Sequence, residues 1–148
     1  MTTLVKNKRA TFDFEILDSF EAGVVLTGFE VKALRASRGS LEGARVVVRG
    51  GEAFLTGASI QPLQQNNVPS GYDPETARRL LVSKKELSLL IGLEATKGLT
   101  LIPISWYTKG RHIKLGFASV RGKKKYDKRE SIKERESKRE MERTLKRQ

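Results

Sequence analysis

The last 28 residues constrain the fold most, because they cannot supply a core. From Arg121 to Gln148 there are 13 basic and 6 acidic residues. Only Tyr126, Ile132, Met141 and Leu145 are large and apolar there. Ile132 and Met141 lie about half a turn out of phase on a helix of ~3.6 residues per turn, so no apolar stripe forms. Helix propensity is nevertheless good. Glu134/Lys138 and Glu142/Lys146 are correctly ordered i,i+4 pairs, each contributing about 0.2–0.5 kcal/mol. The segment is therefore expected to be disordered alone and helical once a polyanion neutralises it. Residues 1–120 must hold the core as one domain, and 121–148 form a basic C-terminal tail.

Charge defines the partner class. The 148 residues carry 29 Lys and Arg against 17 Asp and Glu, a net charge of +12. An excess of that size points to a polyanion, either nucleic acid or an anionic membrane surface. A membrane is disfavoured because the tail lacks an amphipathic apolar face. There is no Cys, which excludes disulfide frameworks, thiolate zinc sites and cysteine nucleophiles. The single histidine, His112, excludes a His-pair metal site. Residues 1–8 contain no run resembling a signal peptide, and no stretch approaches a membrane span, so the cytosol is the expected compartment.

Within the body, alternation predicts short strands. Phe12, Phe14 and Ile16 alternate with Asp13, Glu15 and Leu17, and Val24–Leu26 reads as a second strand. Thr27-Gly-Phe-Glu30 is a capping box opening a short helix with Val31 and Leu34 inward. Val46–Val48 and Phe54–Thr56 flank Gly50-Gly51, a hairpin signal. Residues 61–74 hold three prolines and form a long loop. Ser83-Lys-Lys-Glu86 is a second capping box, with Leu87, Leu90 and Ile91 on one helix face. Two strands, Leu99–Tyr107 and His112–Val120, surround a Lys109-Gly110 turn. Ile113, Leu115 and Phe117 should face inward, with His112 and Lys114 on the wet side. Five or six short strands with peripheral helices predict a mainly β fold, an OB-like small antiparallel β-barrel.

No Walker loop, GxSxG or HExxH is present, and nothing pairs Glu21, Glu30 or Asp127 into an acid/base site, so an enzyme is not expected. Three segments point instead to nucleic acid. Lys6-Asn7-Lys8-Arg9 is a basic run. Arg78-Arg79-Leu80-Leu81 reads equally as a phosphate contact or as a snorkelling core edge. Arg121-Gly-Lys-Lys-Lys-Tyr-Asp-Lys-Arg129 embeds one aromatic among six cations. Cations hold phosphates, and an aromatic stacks on an unpaired base for about 1–3 kcal/mol.

These segments, in order, resemble the SmpB (small protein B) family of tmRNA-binding proteins. The resemblance runs through Asn7-Lys-Arg-Ala10, Phe20-Glu-Ala-Gly23, Gly28-Phe-Glu-Val-Lys-Ala-Leu-Arg35, Gly51-Glu-Ala-Phe54, Asp73-Pro74, Arg78-Arg-Leu-Leu81, Lys85-Glu86, Gly98-Leu-Thr100 and Gly122-Lys-Lys-x-x-Asp-Lys-Arg129. It implies binding to the tRNA-like domain of tmRNA and delivery of alanyl-tmRNA, with elongation factor Tu and GTP, to a stalled 70S ribosome. It places RNA-binding positions at Asn7, Glu21, Leu81 and Lys114, to which the basic run adds Lys8 and Arg9. It places ribosome and decoding-centre contacts of the tail at Lys123, Lys124, Asp127, Lys128 and Arg129, and the embedded aromatic adds Tyr126 as a stacking residue. Tyr126 departs from a common His; stacking survives the change, but a charged imidazolium does not. No cofactor and no metal are expected, and the chain is expected to act as a monomer. The competing expectation is another OB-like RNA-binding module of the translation apparatus.

Overall fold

A computed structural model describes residues 1–63 and 68–122. The elements run β1 (Thr2–Lys6), α1 (Ala10–Asp13), β2 (Phe14–Val24), α2 (Gly28–Arg35), β3 (Gly39–Ser40), β4 (Arg45–Arg49), β5 (Glu52–Thr56), β6 (Ser59–Ile60), β7 (Arg78–Leu81), α3 (Lys84–Ala95), β8 (Leu99–Lys109) and β9 (His112–Gly122). The expected tail contacts, and its expected disorder-to-helix change, lie outside the described residues.

Seven strands form one antiparallel sheet in the order β1-β8-β9-β2-β7-β5-β4, and β3 pairs with β6. The mainly β reading holds, but the sheet is not closed into a barrel. The outer edge of β4 shows what takes the place of a closing strand. The Val48 N–H donates to Glu94 Oε2 of α3 at 2.7 Å, and Arg49 pairs with the same carboxylate. A helix thus satisfies an edge amide that a further strand would have used. Register shifts at Thr3/Val5, Ile16/Asp18 and Pro103/Ser105 mark irregularities in the long strands, the kind that bend a sheet.

Two hairpins follow their turn residues. Gly50 (φ 60°) and Gly51 (φ 77°) both take the left-handed conformation that a tight two-residue turn requires, joining Arg49 to its partner Glu52. Gly110 (φ 63°) opens the turn between Lys109 and its partner His112. The Thr27 backbone N–H donates to Glu30 Oε1 at 3.0 Å, so the first capping box forms as expected. Ser83 caps α3 by accepting from the Glu86 N–H at 3.2 Å.

The core packs Trp106, Leu115 and Phe117 against Leu34, Leu55 and Leu90. Ala10, Ile102, Ala118 and Val120 form a second cluster where the short α1 helix covers the other side. Three sequence expectations change. Phe12 belongs to α1 rather than to a strand, and Ile16 is exposed beside the Ile16/Asp18 shift. Val24 ends the long β2 instead of starting a separate strand. Ile91 is exposed while Leu93 packs on the core, because the inward stripe of α3 runs through Leu87, Leu90 and Leu93 and leaves Ile91 to one side of it.

Candidate nucleic-acid interface

Strand register gathers three of the six expected RNA-binding positions of the body. Residues opposite one another in neighbouring strands share a face. Leu81 pairs with Gly23, Gly23 with Lys114, Lys114 with Tyr107, and Tyr107 with Thr3. These five form one row across β7, β2, β9, β8 and β1. Glu21 stands in the next row, opposite Gly116, which in turn faces Ser105. The intervening residues Leu80, Ala22, Leu115 and Trp106 are buried, so the row and Glu21 lie on the outward face. Leu81 is 54% exposed and leans over Gly23, where an added Cβ would lie 3.4 Å from its side chain. Glu21, Leu81 and Lys114 therefore share one solvent-facing surface that combines an apolar group, a cation and a carboxylate.

Glu21 does not stand alone there. The Tyr107 hydroxyl donates to its Oε2, and Lys109 Nζ lies 3.2 Å from its Oε1. The Tyr107 bond, the Lys109 bond and the charges of Lys109 and Lys114 hold the Glu21 carboxyl below the usual carboxylate range. The Tyr107 phenol is pushed up by partial burial and by its bond to Glu21. Gly116 makes the reach possible, because an added Cβ would sit 3.2 Å from Tyr107 Cε1. Sequence reasoning missed Tyr107, Lys109 and Gly116. Residues 105, 107 and 109 share a strand parity with an exposed end, which was the available signal.

Asn7, Lys8 and Arg9 lie elsewhere. β1 is separated from β2 by two intervening strands, roughly 14 Å at about 4.8 Å per strand. Asn7 is buried, and its Nδ2 donates to Pro103 O at 2.9 Å and Leu41 O at 3.4 Å. Its backbone N–H donates to Ile104 O at 2.7 Å. Asn7 thus ties the chain to β8 as it leaves β1, while Lys8 and Arg9 project outward. Arg9 pairs with Asp13 at 3.3 Å and lies 5.0 Å over the Phe12 ring.

Of the Arg78-Arg79 pair, only Arg79 faces solvent, 3.3 Å from Glu52. Arg78 is buried against Glu30 and is unavailable to phosphate. Burial raises the Glu30 carboxyl, but the Thr27 amide, Arg78 and Tyr72 outweigh it and leave the group below its usual range. Glu30 is a cap and a charge partner, which removes it from the candidate acids. Among the described residues no cluster of three or more His, Cys, Asp or Glu could hold a metal, and no helix is long and apolar enough to cross a membrane.

Comparison with known proteins gives a consistent picture. The family model described as "SmpB protein" matches residues 4–147. An SsrA-binding protein of Microcystis aeruginosa is 45% identical over 144 residues, covering 97% of this chain and 94% of its own. One from Gloeobacter violaceus is also 45% identical with the same coverage, and one from Coxiella burnetii is 43% identical, covering 97% of this chain and 91% of its own. A solved structure described as "tmRNA-SmpB: a journey to the center of the bacterial ribosome" superposes with a TM-score of 0.68 at 37% identity, covering 86% of this chain and 92% of that one.

Proposed function

The chain belongs to the SmpB family, and from that membership we propose that it binds tmRNA and works with it on the bacterial ribosome in trans-translation, the rescue of stalled ribosomes. The observation that carries this is similarity along nearly the whole chain to SsrA-binding proteins, at 45% identity over 97% of its length. The outward face bearing Glu21, Leu81 and Lys114 supports it. Lys114 supplies a cation for phosphate, Leu81 an apolar surface for a sugar or base, and Glu21 an acceptor for a donor group of the RNA.

In this reading residues 1–120 bind the tRNA-like domain, and 121–148 follow the mRNA channel of a stalled ribosome. Asn7 fixes the segment from which Lys8 and Arg9 reach RNA. Lys123, Lys124, Lys128 and Arg129 meet phosphates, Tyr126 stacks on a base, and Asp127 orients its cationic neighbours. The partner complex includes alanyl-tmRNA with elongation factor Tu and GTP. The protein acts by binding rather than by catalysis, in the bacterial cytoplasm.

The test is peptide tagging on stalled ribosomes in a purified translation system, beside tmRNA affinity for the same variants. Replacing Asp127, Lys128 and Arg129 together by Ala should stop tagging and spare affinity. Tagging that survives the triple substitution would remove the tail from the ribosomal role. A parallel loss of affinity would move these residues to the tmRNA interface.

A further inference from the structure

We infer that Tyr107 is a positioning residue for RNA binding: lying across Gly116, it holds the Glu21 carboxylate in place to accept a hydrogen bond from a donor group of the bound RNA. This rests on the reading that Glu21 meets the RNA. Three observations carry it. Glu21 and Tyr107 stand on β2 and β8, with the whole of β9 between them. Such a span is bridged only because Gly116 offers no side chain at the crossing point, where a Cβ would lie 3.2 Å from Tyr107 Cε1. The phenol then reaches Glu21 Oε2, while Lys109 Nζ sits 3.2 Å from Oε1.

Both carboxylate oxygens are thereby engaged from the β8 side, yet Glu21 remains exposed. An ionised carboxylate has about four lone-pair sites, so two internal partners leave acceptor capacity turned toward solvent. A free glutamate on an exposed strand samples several rotamers, and a bound RNA would have to select one, which weakens binding. Tyr107 and Lys109 make that selection in advance. The carboxylate accepts only, so it favours a ribose hydroxyl or base N–H and rejects phosphate. Lys114, one row away, takes the phosphate role.

The experiment is a double-mutant cycle on tmRNA affinity with the full chain: wild type, Glu21→Ala, Tyr107→Phe and both. Phenylalanine keeps the ring over Gly116 and removes only the hydroxyl, and thermal melts of the variants check that the fold is intact. Tyr107→Phe should weaken binding about three- to tenfold, the worth of one net hydrogen bond. In the Glu21→Ala background the same change should add less than about twofold, because the hydroxyl acts through the carboxylate. Losses that multiply independently would overturn the inference, since Tyr107 would then act by another route. Full affinity in Tyr107→Phe beside a weakened Glu21→Ala would also overturn it, while leaving Glu21 at the interface. Full affinity in Glu21→Ala would refute the underlying placement of Glu21, and the inference with it. Gly116→Val adds an independent arm: its bulk displaces the Tyr107 ring, so it should weaken tmRNA binding as Tyr107→Phe does, and unchanged binding would count against the bridge.

Discussion

Arg78 Nε donates to Glu30 Oε2 at 2.9 Å in a site where both side chains are almost excluded from water. Its other four N–H groups are also satisfied: Nη1 by Ala58 O and Thr76 O, Nη2 by Pro74 O and the Tyr72 hydroxyl. One guanidinium thus joins α2, the turn after β5 and the loop that leads into β7. Lysine has three donors on a flexible stem and cannot reproduce the planar fork. Arg78→Lys should cost about 2–4 kcal/mol, and Arg78→Ala about 3–5 kcal/mol because it leaves Glu30 buried without its partner. Urea unfolding checks both. The salt dependence of tmRNA binding by the folded fraction should be unchanged, since Arg78 faces no phosphate.

The same pair makes stability depend on pH. The Glu30 carboxyl is lower in the folded protein than in an unfolded chain. Its contribution is therefore fully present above the ordinary carboxylate range and is lost as pH falls through the depressed folded value. The Tyr72 phenol is pushed up by burial and by its bond to Glu30, so its contribution is lost as pH rises through and beyond the ordinary tyrosine range. Glu30→Gln should flatten the acid limb of a stability–pH curve and lower stability at neutral pH by about 3 kcal/mol or more. An acid limb as steep as that of the wild type would place the titrating group elsewhere.

Gly39 is a packing constraint. A Cβ there would lie 2.9 Å from Leu34 Cδ2 and 3.0 Å from Trp106 Cζ3, both in the core. Gly39→Ala should destabilise by about 1–3 kcal/mol through overpacking, read as a lower urea midpoint.

Much of this architecture is legible in sequence because it is local. The Thr27/Glu30 box, the Gly50-Gly51 turn and the inward set of Ile113, Leu115 and Phe117 each follow from residues a few positions apart. That the sheet stays open, with α3 along its β4 edge, was not legible, because it depends on Glu94 meeting the Val48 amide, 46 positions away. Arg78 was ambiguous for the same reason: its partners come from α2 and from residues 58–76. Lys114 was correctly placed outside by alternation, and Leu81 and Glu21 came from family resemblance. Only the register of β7, β2 and β9 puts the three together. Tyr107 and Lys109 escaped notice because their partner, Glu21, is more than eighty positions away.

Lys114→Ala should change the ionic-strength dependence of tmRNA binding. Each phosphate neutralised contributes roughly −0.7 to −0.9 to the slope of log affinity against log salt. Loss of one contact should reduce the slope magnitude by about one unit. Glu21→Gln should weaken binding without making that dependence steeper, because a carboxylate does not bind phosphate. A Lys114→Ala slope equal to that of the wild type would mean that this lysine meets no phosphate.

The RNA this chain is proposed to select is tmRNA. The full-length protein, captured from bacterial lysate with its bound RNA sequenced, tests this most directly. Sequencing should find tmRNA enriched well above its share of total RNA, with the enrichment reduced in Glu21→Gln and Lys114→Ala. Recovery of ribosomal RNA alone, with tmRNA no higher than in the input, would contradict it.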